Sequence, residues 1–311
     1  MYRMKIFLIA TIILIANITQ AQNTFEFLRT DYGARAAALA GGYVSTYDDI
    51  NAMFYNPAAI KELQDIPASF TFFKHLLDIN AATLSSSYNF EGIGRFALGI
   101  HYINYGTFVR ADDFGNKTGE FGAGDIAFVV GYANDLADNF SYGANLKFIY
   151  SSIDYRKSTA LAVDLGLQYK FPDDKLSFGF SILNLGTQIS TYFDTREDLP
   201  LDIKIGLSKT LEKLPVTFFF AINKLNEKKE EIIQYLKPFD LGAEIKFSEV
   251  IKLRLGYDNE KRKELKVGTT TGLAGLNIGF GITIQKYYLD YALSSLGVIG
   301  ELHRISLSTS F

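Results

Sequence analysis

The stretch FSYGANLKFIY, residues Phe140–Tyr150, decides the fold. Phe140, Tyr142, Ala144, Leu146, Phe148 and Tyr150 fall on one face of an extended chain. Ser141, Gly143, Asn145 and Lys147 fall on the other. A period of two means a strand with one face toward an apolar medium and one toward a polar medium. The pattern recurs. Leu161, Val163, Leu165, Leu167 and Tyr169 oppose Ala162, Asp164, Gly166 and Gln168. Leu201, Ile203, Ile205 and Leu207 oppose Asp202, Lys204, Gly206 and Ser208, and Ile251, Leu253, Leu255 and Tyr257 oppose Lys252, Arg254 and Gly256. A soluble sandwich would alternate too, but several of these runs are long for sandwich strands and carry charge repeatedly on the polar face.

Working outward, the alternation predicts about fourteen antiparallel strands, the first at Ala68–Lys74 and the last at His303–Phe311. The third and fourth are expected at Gly94–Tyr105 and Gly122–Asn134, and the seventh at Leu176–Asn184. The links give an independent check. Short ones at 91–93, 135–139, 171–175, 211–215, 248–250 and 285–286 alternate with longer ones at 106–121, 185–200, 224–238, 259–274 and 294–302. Outer-membrane barrels have short periplasmic turns and longer outer loops. The links at 76–79 and 155–158 are short for outer loops. The expected fold is therefore an all-β transmembrane protein, an antiparallel outer-membrane β-barrel spanning residues 67–311.

Composition agrees. Hydrophobic residues make up 48% of the 311, with mean hydropathy near zero, as expected when only one strand face is apolar. The net charge of −3 gives no basis for nucleic-acid binding. The absence of cysteine excludes disulfides, thiolate metal sites, cysteine nucleophiles and a lipidated cysteine anchor. Arg3 and Lys5, the apolar run Ile6–Ala16 and Thr19-Gln20-Ala21 predict a secretory signal over residues 1–21.

Residues 22–66 do not read as strand. The run Ala34–Ala40 before Gly41-Gly42 favours a helix ended by glycine. Asp48-Asp49 suits the start of a second helix at Ile50–Tyr55, with a turn at Asn56-Pro57. This short helical segment is expected to plug or cap the barrel.

No motif carries chemistry. There is no nucleophile elbow, phosphate loop or zinc spacing, and His75, His101 and His303 are scattered. The carboxylate pairs Asp112-Asp113, Asp173-Asp174 and Glu230-Glu231 lie in links, where charge solvates the chain. No catalytic residue, cofactor or metal site is expected, and no enzymatic activity. Lys147, Asp164, Asp202, Lys204, Asp240, Glu244, Lys246, Lys252 and Arg254 should line a hydrated, ion-paired lumen. The basic stretch Asp258–Lys266 could meet anionic lipopolysaccharide or an acidic partner.

Several stretches resemble the PorQ family of the type IX secretion system, within the PorV/PorQ, fatty-acid-transporter-like barrels. They are Phe27-Leu28, Ala34–Gly42, Asp48-Asp49 with Asn56-Pro57-Ala58, His101–Phe108, Gly115–Phe121, Asn184–Gln188, and Leu255-Gly256-Tyr257 with Arg262-Lys263-Glu264-Leu265. Arg29-Thr30-Asp31 departs from the more apolar stretch expected there. The resemblance implies a fourteen-stranded barrel in the bacterial outer membrane. It also implies a place in a cell-surface attachment complex with PorU-like, PorV-like and PorZ-like partners, this chain serving as a membrane anchor. Outer loops would carry the contacts, with Asp112, Asp113, Asn116, Arg196, Arg262 and Lys263 as candidates and Asn56 and Pro57 as the plug turn. The alternative is a barrel for uptake of hydrophobic small molecules. A lateral gap or apolar interior pocket would mark the transporter, and a filled, ion-paired lumen the anchor.

Overall fold

The computed structural model describes residues 23–75, 78–171, 175–266 and 272–311. The expected signal over 1–21 and the Asp173-Asp174 pair lie outside these. Fourteen antiparallel strands close into one barrel. They are β1 Pro67–Lys74, β2 Asn80–Phe90, β3 Gly94–Ala111, β4 Lys117–Ala137, β5 Phe140–Ile153, β6 Arg156–Phe171 and β7 Leu176–Ser190. Then follow β8 Asp202–Thr210, β9 Val216–Ile222, β10 Phe239–Lys246, β11 Ile251–Asp258, β12 Leu276–Ile284, β13 Tyr287–Ser295 and β14 Glu301–Ser310. Each pairs with both neighbours, and β1 joins β14 from Pro67↔Ser310 to Lys74↔His303. Closure removes the unpaired sheet edges that a bilayer could not satisfy. Ile66 and Phe311 exchange backbone hydrogen bonds, so the start and end of the barrel meet at the short-turn, periplasmic end.

The facing follows the alternation. Leu146, Phe148, Leu161, Leu165, Leu253 and Leu255 are exposed on the outer wall, whereas Asn145, Lys147, Asp164 and Arg254 are buried inside. No helix among the described residues is long and apolar enough to cross a membrane.

Two expected outer loops are corrected. Residues 106–121 are mostly strand. β3 and β4 continue as a two-stranded ribbon, pairing Thr107↔Gly122 through Ala111↔Lys117 beyond the end of the β2–β3 ladder at Asn80↔Asn104. Alternation fails to reveal it because the ribbon is exposed on both faces, so neither face needs to be apolar. Similarly, β7 runs to Ser190 across a bulge where Leu183 and Asn184 oppose Asp164, with Asn184 at φ 61°.

Residues 24–63 run through the barrel interior. They form 3₁₀ turns at Glu26–Arg29, Ile50–Phe54 and Pro57–Glu62, and one helix, α1, at Ala34–Ala38. Asp49 caps Ile50–Phe54 by accepting from Asn51 N at 2.8 Å. Ala34, Leu39, Tyr43, Met53, Phe54 and Ile60 are essentially inaccessible to solvent. Two further short helices occupy outer loops, α2 at Ile232–Tyr235 and α3 at Asn259–Glu264.

Candidate functional site

The lumen is the first feature to test, because a transporter needs a route through it. Small residues on the inner wall let the N-terminal segment in. A Cβ on Gly166 would collide with Asn56 Oδ1, one on Gly143 with the Pro57 backbone, and one on Gly256 would stand 2.5 Å from Ala38 O. Asn56 itself is fully buried. It caps the turn at Pro57, accepting from Ala58 N at 3.1 Å, and its Nδ2 donates to Val44 O at 2.9 Å and Leu167 O at 3.0 Å. The Asn56-Pro57 turn is thus a wedge between the segment and β6.

Charged residues complete the filling. Arg35 of α1 donates from Nε to Glu244 Oε2 at 2.8 Å and from Nη1 to Asp48 at 2.8 Å. Arg254 bridges the same Glu244 to Asp290, at 2.6 Å each. Lys147 Nζ lies 2.8 Å from Asp164 Oδ2 and 2.8 Å from Asn184 Oδ1. Asp164 also accepts from the Asn184 backbone at 2.8 Å, and Asn145 donates to both Asp164 and Met53 O. Asp202 pairs with Lys204 at 3.2 Å, and Asp240 accepts from Asn223 at 2.7 Å. Lys246 differs from the lumen position expected of it: it pairs with Glu249 in the periplasmic turn, because it stands at the very end of β10. On the periplasmic side of the segment lies a cavity of about 520 Å³ whose lining includes Arg35, Asp48, Lys170, Lys252 and Tyr288. The large apolar hollows, including one of about 700 Å³ beside Ala243, open on the outer wall instead.

Arg29-Thr30-Asp31 holds the segment in place. Arg29 donates to Leu201 O at 2.9 Å, Thr30 Oγ1 lies 3.1 Å from His101 Nε2, and Asp31 faces Lys261 of α3 at 3.6 Å. His101 also meets Thr83 at 2.8 Å and stacks on Phe27, so it belongs to the packed interior. Its inward register on β3 is the sequence signal that points there.

The outer face carries the candidate contact residues, and the structure does not gather them into one patch. Asp112 builds the ribbon tip, accepting from Phe114 N at 3.0 Å and Asn116 N at 2.8 Å, with Asn116 Nδ2 closing the turn at 2.9 Å. Those bonds from Asn116 and Phe114 hold the Asp112 carboxyl below its ordinary pKa. Asp113 is exposed beside them. Arg196 is exposed in the 191–201 loop, and Arg262 and Lys263 lie on α3. The ribbon adds residues that sequence reasoning missed: Phe108 stacks on Phe121 with centroids 5.4 Å apart, and Phe114 at the tip is 90% exposed. Among the described residues, no three His, Cys, Asp or Glu side chains group as a metal site.

Neither a protein-family model nor a curated protein matches the chain. Solved structures do. The toluene transporter TbuX of Ralstonia pickettii aligns over 90% of this chain and 98% of its own, at 12% identity and TM-score 0.62. The fold is that of the hydrocarbon-transporter barrels. The P. putida toluene transporter TodX matches over the same shares at 12% identity and TM-score 0.59. A Pseudomonas aeruginosa FadL homologue matches at 11% identity, 90% and 98% coverage, and TM-score 0.57. In fold the chain is a FadL-like fourteen-stranded barrel, and its place is the bacterial outer membrane.

Proposed function

We propose that this barrel is a non-enzymatic membrane anchor that holds partner proteins at the cell surface during protein secretion. The observation that carries the reading is the filled lumen, in which Arg35 of the N-terminal segment is ion-paired to Glu244 of the wall. A closed ladder and a packed, charged interior suit a scaffold better than a passage for apolar molecules. The resemblance to the PorQ family supplies the partners: PorU-like, PorV-like and PorZ-like proteins of an attachment complex. The exposed β3–β4 ribbon is the proposed docking element, since its backbone and its apolar side chains are both available.

A second reading is uptake of hydrophobic small molecules. The solved structures favour it, because TbuX and TodX are described as toluene transporters. In that reading the N-terminal segment moves to open a route.

Deleting the chain from its native bacterium separates the two. The anchor reading expects surface-attached secreted proteins to appear in the medium while uptake of fatty acids and aromatic hydrocarbons is unchanged. Lost uptake with normal surface attachment would establish the transporter instead.

A further inference from the structure

The outer wall carries a notch that the lumen does not explain. Across the sheet, Phe218, Ala243, Leu255, Ile278 and Leu293 form one outward row, paired neighbour to neighbour from β9 to β13. Ala243 sits between Phe218 and Leu255, and its small side chain opens an apolar hollow of about 700 Å³. Tyr257, Leu273 and Leu276 extend the hollow to the outer end of the strands. It thus runs from the middle of the wall to its outer rim.

Directly above it stands α3. A Cβ on Gly275 would meet Arg262 N at 3.0 Å and Arg262 Cβ at 3.1 Å, so the helix rests on the start of β12 at the rim. The charges of α3 are sorted by direction. Glu260 and Glu264 turn to Lys224, at 2.8 and 4.0 Å, and Lys261 turns inward to Asp258 and Asp31, at 3.1 and 3.6 Å. Arg262 and Lys263 have no carboxylate partner among the described residues, nor has Lys237, whose carbonyl accepts from Asn259 at the head of α3. The neighbouring segment 267–271, VGTTT, contains no acid. A second apolar hollow of about 580 Å³, lined by Ile66, Phe90, Ile93 and Phe96, lies at the opposite, periplasmic end of the wall.

We propose that the β10–β12 face is a binding site for lipopolysaccharide, with an acyl chain in the Ala243 notch and the lipid phosphates on Lys237, Arg262 and Lys263. An apolar hollow alone would take any membrane lipid. Unpaired cations at its outer rim select a lipid that is both acylated and phosphorylated and that resides in the outer leaflet. The site is independent of the anchor and transporter readings.

The test uses full-length protein extracted in mild detergent, delipidated and titrated with purified lipopolysaccharide, with binding read by native mass spectrometry. The expected result is one tightly held molecule. The triple variant Lys237→Ala/Arg262→Ala/Lys263→Ala should bind roughly a hundredfold more weakly. Ala243→Leu, which fills the notch and leaves the charges, should also weaken binding, and enzymatically dephosphorylated lipopolysaccharide should bind poorly to the native chain. Retained gel heat-modifiability shows that each variant is folded. Unchanged binding by both variants, or equal binding of phosphatidylethanolamine, would overturn the proposal. So would a native dimer that Ala243→Leu separates, since the notch would then be a contact between two copies.

Discussion

Arg35 Nε lies 2.8 Å from Glu244 Oε2, tying the helix inside the barrel to strand β10 of its wall. The pair does not stand alone. Arg254 shares Glu244 and continues to Asp290, while Asp48 takes the other side of Arg35. Charges taken out of water are tolerated only when paired in this way, so the network has two roles: it satisfies the lumen and it fixes the segment.

Breaking the link should release the segment. Arg35→Met keeps much of the volume and leaves Asp48 and one side of Glu244 unpaired. A loss of about 3 kcal/mol in urea unfolding in detergent is expected, with new protease cleavage between residues 23 and 66. Unchanged stability and cleavage would mean that packing alone holds the segment.

The inner glycines make a steric prediction. Gly166→Val places a side chain where Asn56 Oδ1 sits, and Gly143→Val does the same against Pro57. The barrel should still form, as read by heat-modifiability on a gel, but the segment should become protease-sensitive. Leu165→Val, one residue away on the outer wall, should leave the segment protected.

The wall makes a depth-dependent prediction. Leu253 is exposed on the lipid face and Lys252 faces the interior cavity. Leu253→Arg should cost about 2–4 kcal/mol in a bilayer, whereas Lys252→Ser should cost little. Equal costs, measured by denaturant titration in vesicles, would contradict the assigned facing.

Acid should loosen the latch that Asp31 of the segment forms with Lys261 of α3. Burial pushes the Asp31 carboxyl up, but Lys261, Arg304, the Tyr55 hydroxyl and Lys204 outweigh it and leave its pKa below the ordinary 3.8. A depressed carboxylate contributes stability that is complete above its unfolded value and is lost as pH falls through the folded one. Thermal stability in detergent should therefore fall below about pH 4 partly through Asp31, and Asp31→Asn should flatten that acid limb. Parallel acid limbs for the two proteins would argue against the latch.

Much of the fold is legible in the sequence. The fourteen strands and their facing follow from alternation, because a bilayer outside and an inner wall of small and polar residues packed on the N-terminal segment impose it on every strand. The ribbon at 107–121 escapes because water surrounds it on both sides. The closeness of the filling is written in Gly143, Gly166 and Gly256 on the polar faces, where alternation alone cannot separate room for water from room for backbone. The contacts of His101 and the role of Arg29-Thr30-Asp31 are not readable, since each depends on which strand the segment meets. Asp112 and Asn116, candidate contact residues by sequence, also shape the ribbon tip through bonds to each other.

The proposed anchor role requires that partners travel with this barrel out of the membrane. The most direct measurement is a gentle-detergent pull-down of the tagged native chain from its own outer membrane, beside a variant in which residues 107–121 are replaced by a short turn, with mass spectrometry of the recovered proteins. An anchor should bring a sortase-like protease and a large surface protein in fixed proportion with the native chain, and lose them when the ribbon is shortened. Recovery of the native barrel alone, carrying a fatty acid or hydrocarbon inside, would contradict it.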